Sequence, residues 1–200
     1  MSQVGCRSLS DEEVTKLKKY FFERTDKLAL RDYTILFFSL YTGFRISETL
    51  SLKVSDVWNG TVVLESVYLK RSHMKGKWQG RNVIMSERCK TLLSNYIHHY
   101  DLQVGEYLFP NNRSDPEERY NITSRQAERI FKKAFAECQL TGMLSTHTSR
   151  KTFAEKCYEK LDRNLMDLST AMGHKSISAT AHYIKTNNKK IQDVVKNLDF

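Results

Sequence analysis

Residues 29–43, ALRDYTILFFSLYTG, constrain the fold more than any other stretch of the chain. The run is strongly apolar, and a helix apolar around its circumference has no face to give to water. It closes at Gly43, the residue type that most readily takes the left-handed conformation that ends a helix. The sequence therefore demands a buried helix with a glycine stop. An apolar content of 40% is enough for a real core. A length of 200 residues suits a single domain.

Other elements follow from local signals. Residues 10–24, SDEEVTKLKKYFFER, place Ser10 and Glu13 at capping-box spacing and continue as an amphipathic helix. A short helix is expected over 45–50. The period then changes. Residues 52–70, LKVSDVWNGTVVLESVYLK, alternate and hold Asn59-Gly60, a strong hairpin signal. RNVIM, 81–85, reads as a third strand, with HMKGKWQG, 73–80, as the basic turn before it. From Ser86 onward helices are expected near 86–100, 123–140, 148–160, 162–171, 176–186 and 188–197, with 111–121 as the longest loop. The class is mainly α with a small antiparallel β-sheet (α+β), here a three-stranded one.

Charge narrows the function. A formal +9 with pI ≈ 9.3 suggests a polyanionic partner, nucleic acid first and an anionic membrane second. No stretch approaches the roughly 18 apolar residues of a membrane span, and no helix pairs a lysine-rich face with a bulky apolar one. The N-terminus lacks the layout of a signal peptide. Cys6, Cys89, Cys138 and Cys157 are scattered singly, without C-x-x-C or zinc spacing. Free thiols in the cytoplasm are the simplest expectation.

Four segments carry candidate chemistry. Arg45 follows the glycine stop, and Glu48 lies three residues on, on the same helical face; alone the two read first as a surface ion pair. HTSRKTFA sets His147 and Arg150 three apart near a helix start, where free N–H groups favour anions; a capping His with an exposed Arg is the plainer alternative. MGHKSISATAHY places His174 and Tyr183 nine positions apart; a turn histidine and a core tyrosine would also fit. Lys75 and Lys77 lie in the basic turn, where lysines are usually only solvated. Taken together the residue types suit phosphodiester chemistry. Arginine forks clamp non-bridging oxygens, imidazoles donate hydrogen bonds or move protons, and a phenol can attack phosphorus. A lysine can protonate the leaving oxygen. The arginines would neutralise the growing charge, so no metal or other cofactor is expected.

These segments, in this order, resemble the catalytic domain of the tyrosine recombinases, the phage-integrase family. TGFRISETLSL is similar to the family's T-G-x-R-x-x-E-x-x-x-L segment, HTSRKTFA to H-x-x-R-[HK]-[TS]-F-A, and MGHKSISATAHY to L-G-H-x-x-x-x-x-T-x-x-Y. By matching position the resemblance makes Arg45, His147, Arg150 and His174 the groups that hold and activate a scissile phosphate. Tyr183 is the nucleophile and Glu48 the support of Arg45. KGKWQGRNVIM lies near the family's K-G-x-x-x-R-x-V-P-L, which implies Lys75 as the catalytic lysine, one residue further from Arg81 than usual, with Lys77 as the alternative. Met172, Ser149, Ile84, Met85 and Lys185 depart from the pattern without removing a catalytic group.

The resemblance implies a site-specific recombinase that cleaves and rejoins double-stranded DNA through a 3′-phosphotyrosyl intermediate, in integration, excision or inversion. Type IB topoisomerase-like relaxation and a non-enzymatic DNA-binding regulator on the same fold are the alternatives. The expected partners are DNA, three further copies in a homotetramer on DNA (a monomer in isolation), and accessory DNA-bending proteins, but no membrane. The expected setting is the nucleoid of a bacterium, phage or plasmid host. The expected organisation is one catalytic domain, 1–200, with a core over 9–186 and no N-terminal clamping domain. A tail helix over 187–200, with Ile191, Val194, Val195 and Leu198 at helical spacing, would dock on its own core or on a neighbouring subunit.

Overall fold

The computed structural model describes residues 5–69, 80–111, 120–174, 176–181 and 183–184. It divides into two units, Met1–Phe153 and Ala154–Phe200. Among the described residues there are eight α-helices and one two-stranded antiparallel sheet. The hairpin turn carrying Lys75 and Lys77 and the tail helix over 187–200 lie outside the described residues.

The first unit opens with α1 (Asp11–Glu23), whose capping box is present as its sequence requires. Ser10 Oγ accepts from Glu13 N at 3.2 Å, and Glu13 Oε2 accepts from Ser10 N at 2.9 Å. The Arg7 guanidinium also holds Glu13, and side-chain hydrogen bonding from that arginine keeps the Glu13 carboxyl below its ordinary range. α2 (Ala29–Thr42) is the buried helix, with Ile35, Leu36, Phe37 and Phe38 all in the core. It packs against α1, α3 (Ile46–Leu50), α4 (Glu87–His99) and α5 (Ser124–Glu137). α4 starts at an N-cap, Ser86, and α5 at a capping box of Thr123 and Gln126. Phe38 meets Phe44 edge-on at 5.7 Å, and Phe109 stacks near Tyr96 at 5.4 Å, joining α2, the following turn and α4 in one core.

The sheet is smaller than the sequence suggests. β1 (Ser66–Leu69) pairs with β2 (Arg81–Ile84) in the register Ser66↔Ile84 to Leu69↔Arg81. The expected first strand, from residue 52, does not form. The Asp56 carboxylate instead accepts from Lys53 N at 2.8 Å and winds Val54–Asp56 into a 3-10 turn. The backbone there bonds elsewhere: Leu52 O takes Leu108 N, and Val54 N and Ser55 N reach Glu106 O and Val104 O. The Asn59-Gly60 turn does form, with Asn59 Oδ1 accepting from Thr61 N and Val62 N. It carries only one bridge, Trp58↔Val63. An aspartate able to cap a turn and a competing loop thus outweigh alternation in a short segment.

α6 (His147–Lys160) runs from the first unit into the second. Thr148 Oγ1 accepts from Ser145 N at 3.0 Å at its start. Thr152 Oγ1 accepts from Leu9 N at 2.9 Å, tying the chain's beginning to α6 within the first unit. In the second unit α7 (Leu165–Met172) is capped by Asn164, whose Oδ1 accepts from Met166 N and Asp167 N. It stops at Gly173, φ 61°, and packs against α8 (Ile177–Ala181). No helix among the described residues is long and apolar enough to cross a membrane.

Gly43 is a tight joint. It sits at φ 64°, and a Cβ there would lie 2.3 Å from the Phe153 ring. Gly43→Ala combines a strained left-handed residue with an overpacked contact, and is expected to lower stability by about 2–4 kcal/mol, as measured by denaturant unfolding.

Candidate active site

Three consecutive residues after α2 each fix one arginine. The left-handed turn at Gly43 frees its carbonyl, which accepts a hydrogen bond from Arg150 Nη1 of α6. The Phe44 ring, itself buried against Phe38, lies under the Arg81 guanidinium at 5.1 Å. Arg45 is the N-cap of α3. Its backbone N–H donates to Glu48 Oε2 at 2.8 Å, and its Nη1 donates to Oε1 at 2.8 Å.

Glu48 is the centre of this group. Its side chain is 0% exposed. Besides the two bonds from Arg45, its Oε2 faces Arg81 Nη2 at 3.5 Å and Arg150 Nη1 at 4.0 Å. One buried carboxylate therefore meets three guanidiniums. The Arg150 side chain is only 1% exposed, Arg81 only 9%, and Arg45 is the most open at 24%. Burying cations beyond the available anions is costly in a medium of low polarity. Arg81 registers that cost. Burial first, then repulsion from Arg150 and Arg45, pushes its pKa down to about 10, with Glu48 pulling the other way.

Both plainer alternatives for these segments fail on burial. A surface ion pair needs an exposed Glu48, and an incidental arginine at a helix start needs an exposed Arg150. His147 is the exposed first residue of α6, three residues before Arg150 and anchored by its backbone N–H on Ser145 Oγ at 3.2 Å. Ser149, where the family usually has an apolar residue, is fully buried, and its Oγ has no hydrogen-bond partner among the described residues. Such a hydroxyl costs about 1–3 kcal/mol.

The second unit holds the other two candidates close together. Gly173 ends α7 in a left-handed turn, and His174 N then bonds to Ser169 O at 3.0 Å. The His174 Nδ1 shares a 2.8 Å hydrogen bond with Thr180 Oγ1 of α8. One turn later Tyr183 N donates to Thr180 O at 2.9 Å. The two rings meet at 5.2 Å between centroids with a 34° tilt. Tyr183 is half-buried, so its ring is not sealed into a core. Fully buried Thr180 thus sets both the imidazole and the start of the tyrosine turn.

Two residues in these groups had no assigned work in the sequence. Thr180 is the threonine of the Gly-His-to-Tyr pattern, and its position six residues after His174 was the available signal. Arg81 appears in the lysine-hairpin pattern only as a spacing mark. Its contact with Glu48, 33 positions away, leaves no local trace in the sequence.

The sequence matches the phage integrase family over residues 7–190. A Bacillus subtilis protein named "Probable integrase/recombinase YoeC" is 31% identical over 173 residues, which cover 86% of this chain and 85% of that protein. The chain belongs to the phage integrase family. A tyrosine recombinase of Pseudothermotoga lettingae is 25% identical over 190 residues, covering 95% of this chain and 60% of its own length. The structure of the XerH recombinase in a post-cleavage complex with palindromic difH shares the fold with a TM-score of 0.74 at 20% identity, over 95% of this chain and 52% of that one. This phage integrase chain therefore spans most of the Bacillus relative but only about half to three-fifths of the other two.

Glu48→Gln keeps the shape of this integrase-family cluster and removes the buried carboxylate at its centre. It should destabilise the fold by about 3–5 kcal/mol in denaturant titration, because the buried ion pairs from Arg45, Arg81 and Arg150 to that carboxylate are broken.

Proposed function

We propose that this chain is a site-specific recombinase that breaks and rejoins double-stranded DNA through Tyr183. The observation that carries the proposal is the Glu48-centred cluster, which gathers the forked donors of Arg45, Arg81 and Arg150 around one buried carboxylate. Arg45 and Arg150 would bind the two non-bridging oxygens and stabilise the charge that grows on them in the transition state. His147 would donate a further hydrogen bond from the start of α6. His174, with Nδ1 occupied by Thr180, would use Nε2 towards the phosphate.

In the cleavage step the Tyr183 phenol oxygen attacks phosphorus and gives up its proton to solvent water. The bond from phosphorus to the 5′ oxygen breaks, and that oxygen leaves as a 5′-hydroxyl after taking a proton. Lys75, or Lys77, would supply that proton. The product is a 3′-phosphotyrosyl ester. A 5′-hydroxyl from a partner strand then attacks the same phosphorus, expels the tyrosine and completes the exchange. One phosphoester replaces another at each step, so no external energy source is consumed. Exchange between two sites calls for a homotetramer on DNA, and the 187–200 segment would link its subunits. The recombinases and integrases among the similar proteins favour this reaction over simple relaxation of supercoils.

Tyr183→Phe should bind duplex DNA as the native protein does and form no SDS-stable adduct on a nicked suicide duplex carrying sites from beside the gene. An adduct formed by that variant would remove Tyr183 from the nucleophile's role. DNA affinity should also fall by at least about tenfold between roughly 50 and 200 mM salt, since phosphate contacts release counterions. An equilibrium binding series that stays flat over this range would contradict a phosphate-dominated interface.

A further inference from the structure

The first unit holds a cavity of about 910 Å³ whose lining includes no residue of the Glu48 cluster. One wall is the outer face of α1, with Lys18 and Phe22 four positions apart. The turn after α1 and the start of α2 form a second wall, with Lys27, Leu30 and Tyr33. The third is the end of α4, closing at Tyr100. The volume lies within the roughly 300–1,000 Å³ typical of small-molecule sites.

The frame of this cavity is already ordered. Tyr100 OH donates to Lys27 O at 2.6 Å and accepts from Arg31 N at 3.3 Å, which ties the end of α4 to the second wall. Arg24 bridges Asp26 at 2.7 Å and Asp32 at 3.0 Å, with its guanidinium over the Phe21 ring at 5.6 Å. A ligand would meet walls fixed in advance, which lowers the entropy lost on binding. The inner surface is apolar and aromatic. Burial pushes the Tyr33 and Tyr100 phenols above their ordinary range, so both rings stay neutral there. Phe22 stands at the rim, 92% exposed. An aromatic ring bared to that degree beside a concave apolar wall marks a surface suited to a partner.

The charges at the rim decide what kind of ligand fits. Lys18, Lys19, Arg24 and Lys27 line the cavity against one carboxylate, Asp26. Arg24 is held by Asp26 and Asp32, and Lys19 pairs with Glu23 at 3.7 Å. Lys18 sets its Nζ 5.9 Å from the Phe37 ring. Neither Lys18 nor Lys27 joins an ion pair among the described residues. Two ammonium groups therefore flank an aromatic recess.

We propose that this cavity is a ligand site apart from the arginine cluster, for a small organic anion with a flat aromatic body. The body would lie against Phe22 and Tyr33, and the anionic group would meet Lys18 and Lys27. Duplex DNA suits the recess poorly, because its backbone offers charge without a flat ring to fill the depth. The proposal does not depend on the recombinase reading.

The test uses the intact chain and two fluorescent probes. Anilinonaphthalene sulfonate has a flat aromatic body and one negative charge; phenylnaphthylamine has nearly the same body without the charge. The sulfonate should bind the folded native protein at one saturable site, about fivefold more tightly than the uncharged probe, the scale of one or two exposed charge contacts. The double variant Lys18→Gln with Lys27→Gln should lose that preference. Phe22→Ala should weaken both probes about fivefold, the scale of an aromatic contact. Ile84→Ser removes another strongly exposed apolar side chain, on β2, and should leave both affinities unchanged. A sulfonate that fails to bind, or that binds the lysine and Phe22 variants as it binds the native chain, overturns the proposal. Equal affinity for the two probes does so as well. An Ile84→Ser loss as large as that of Phe22→Ala would mark general adsorption and have the same consequence. Displacement of the sulfonate by a short DNA duplex at matched ionic strength would assign the cavity to the DNA surface and likewise overturn the proposal. Should Phe22→Ala lower the melting temperature, the double lysine variant decides, since both of its side chains are exposed.

Discussion

The buried carboxylate of Glu48 is the interaction on which the rest of the site depends. It reaches the Arg45 side chain and backbone at 2.8 Å and lies within 4.0 Å of both Arg81 and Arg150. These groups come from α3, β2 and α6, so one side chain joins three parts of the first unit. Holding three guanidiniums against one buried carboxylate concentrates positive charge there, and burial together with repulsion from Arg150 and Arg45 lowers the Arg81 pKa. Such preorganised charge is what transition-state stabilisation of a phosphoryl group requires, because the donors need not be rearranged during the reaction.

The backbone around Gly43 makes this arrangement possible. A helix as apolar as α2 must stop inside the protein, where its last carbonyls cannot rely on water. Gly43 closes it in a left-handed turn, returns its N–H to Ser39 O, and presents its own carbonyl to Arg150. Phe153 packs where a side chain on Gly43 would be. The stop signal of the core helix and the anchor of a candidate catalytic arginine are thus one residue. The second unit repeats the device on a smaller scale. Gly173 ends α7 in the same conformation, and the next residue, His174, is turned onto Thr180 beside Tyr183.

Much of the fold was legible because its signals are local. The Ser10–Glu13 box and the glycine stop at 43 act within four residues of themselves, and each element they bound was expected close to its observed place. The misread strand after Leu52 had a local signal too, in alternation. Two other influences outweighed it: Asp56 capping a 3-10 turn at Lys53, and the backbone near residues 104–108 taking the hydrogen bonds that a sheet partner would have used. Only the second is non-local. Short segments are where such contacts outweigh pattern.

The sequence by itself determined the helix order and the buried α2 with its stop, and it marked candidate residues for phosphate chemistry, because periodicity, caps and motif spacing are written between near neighbours in the chain. Burial and charge balance were decided by tertiary structure alone. Arg45 and Glu48 read as a surface pair until three elements closed over the carboxylate, and Arg150 read as exposed until Gly43 O received it. Arg81 met Glu48 only when β2 carried it there. Electrostatic energy depends on distance through space and on the solvent excluded along the way, and neither is set by separation along a chain.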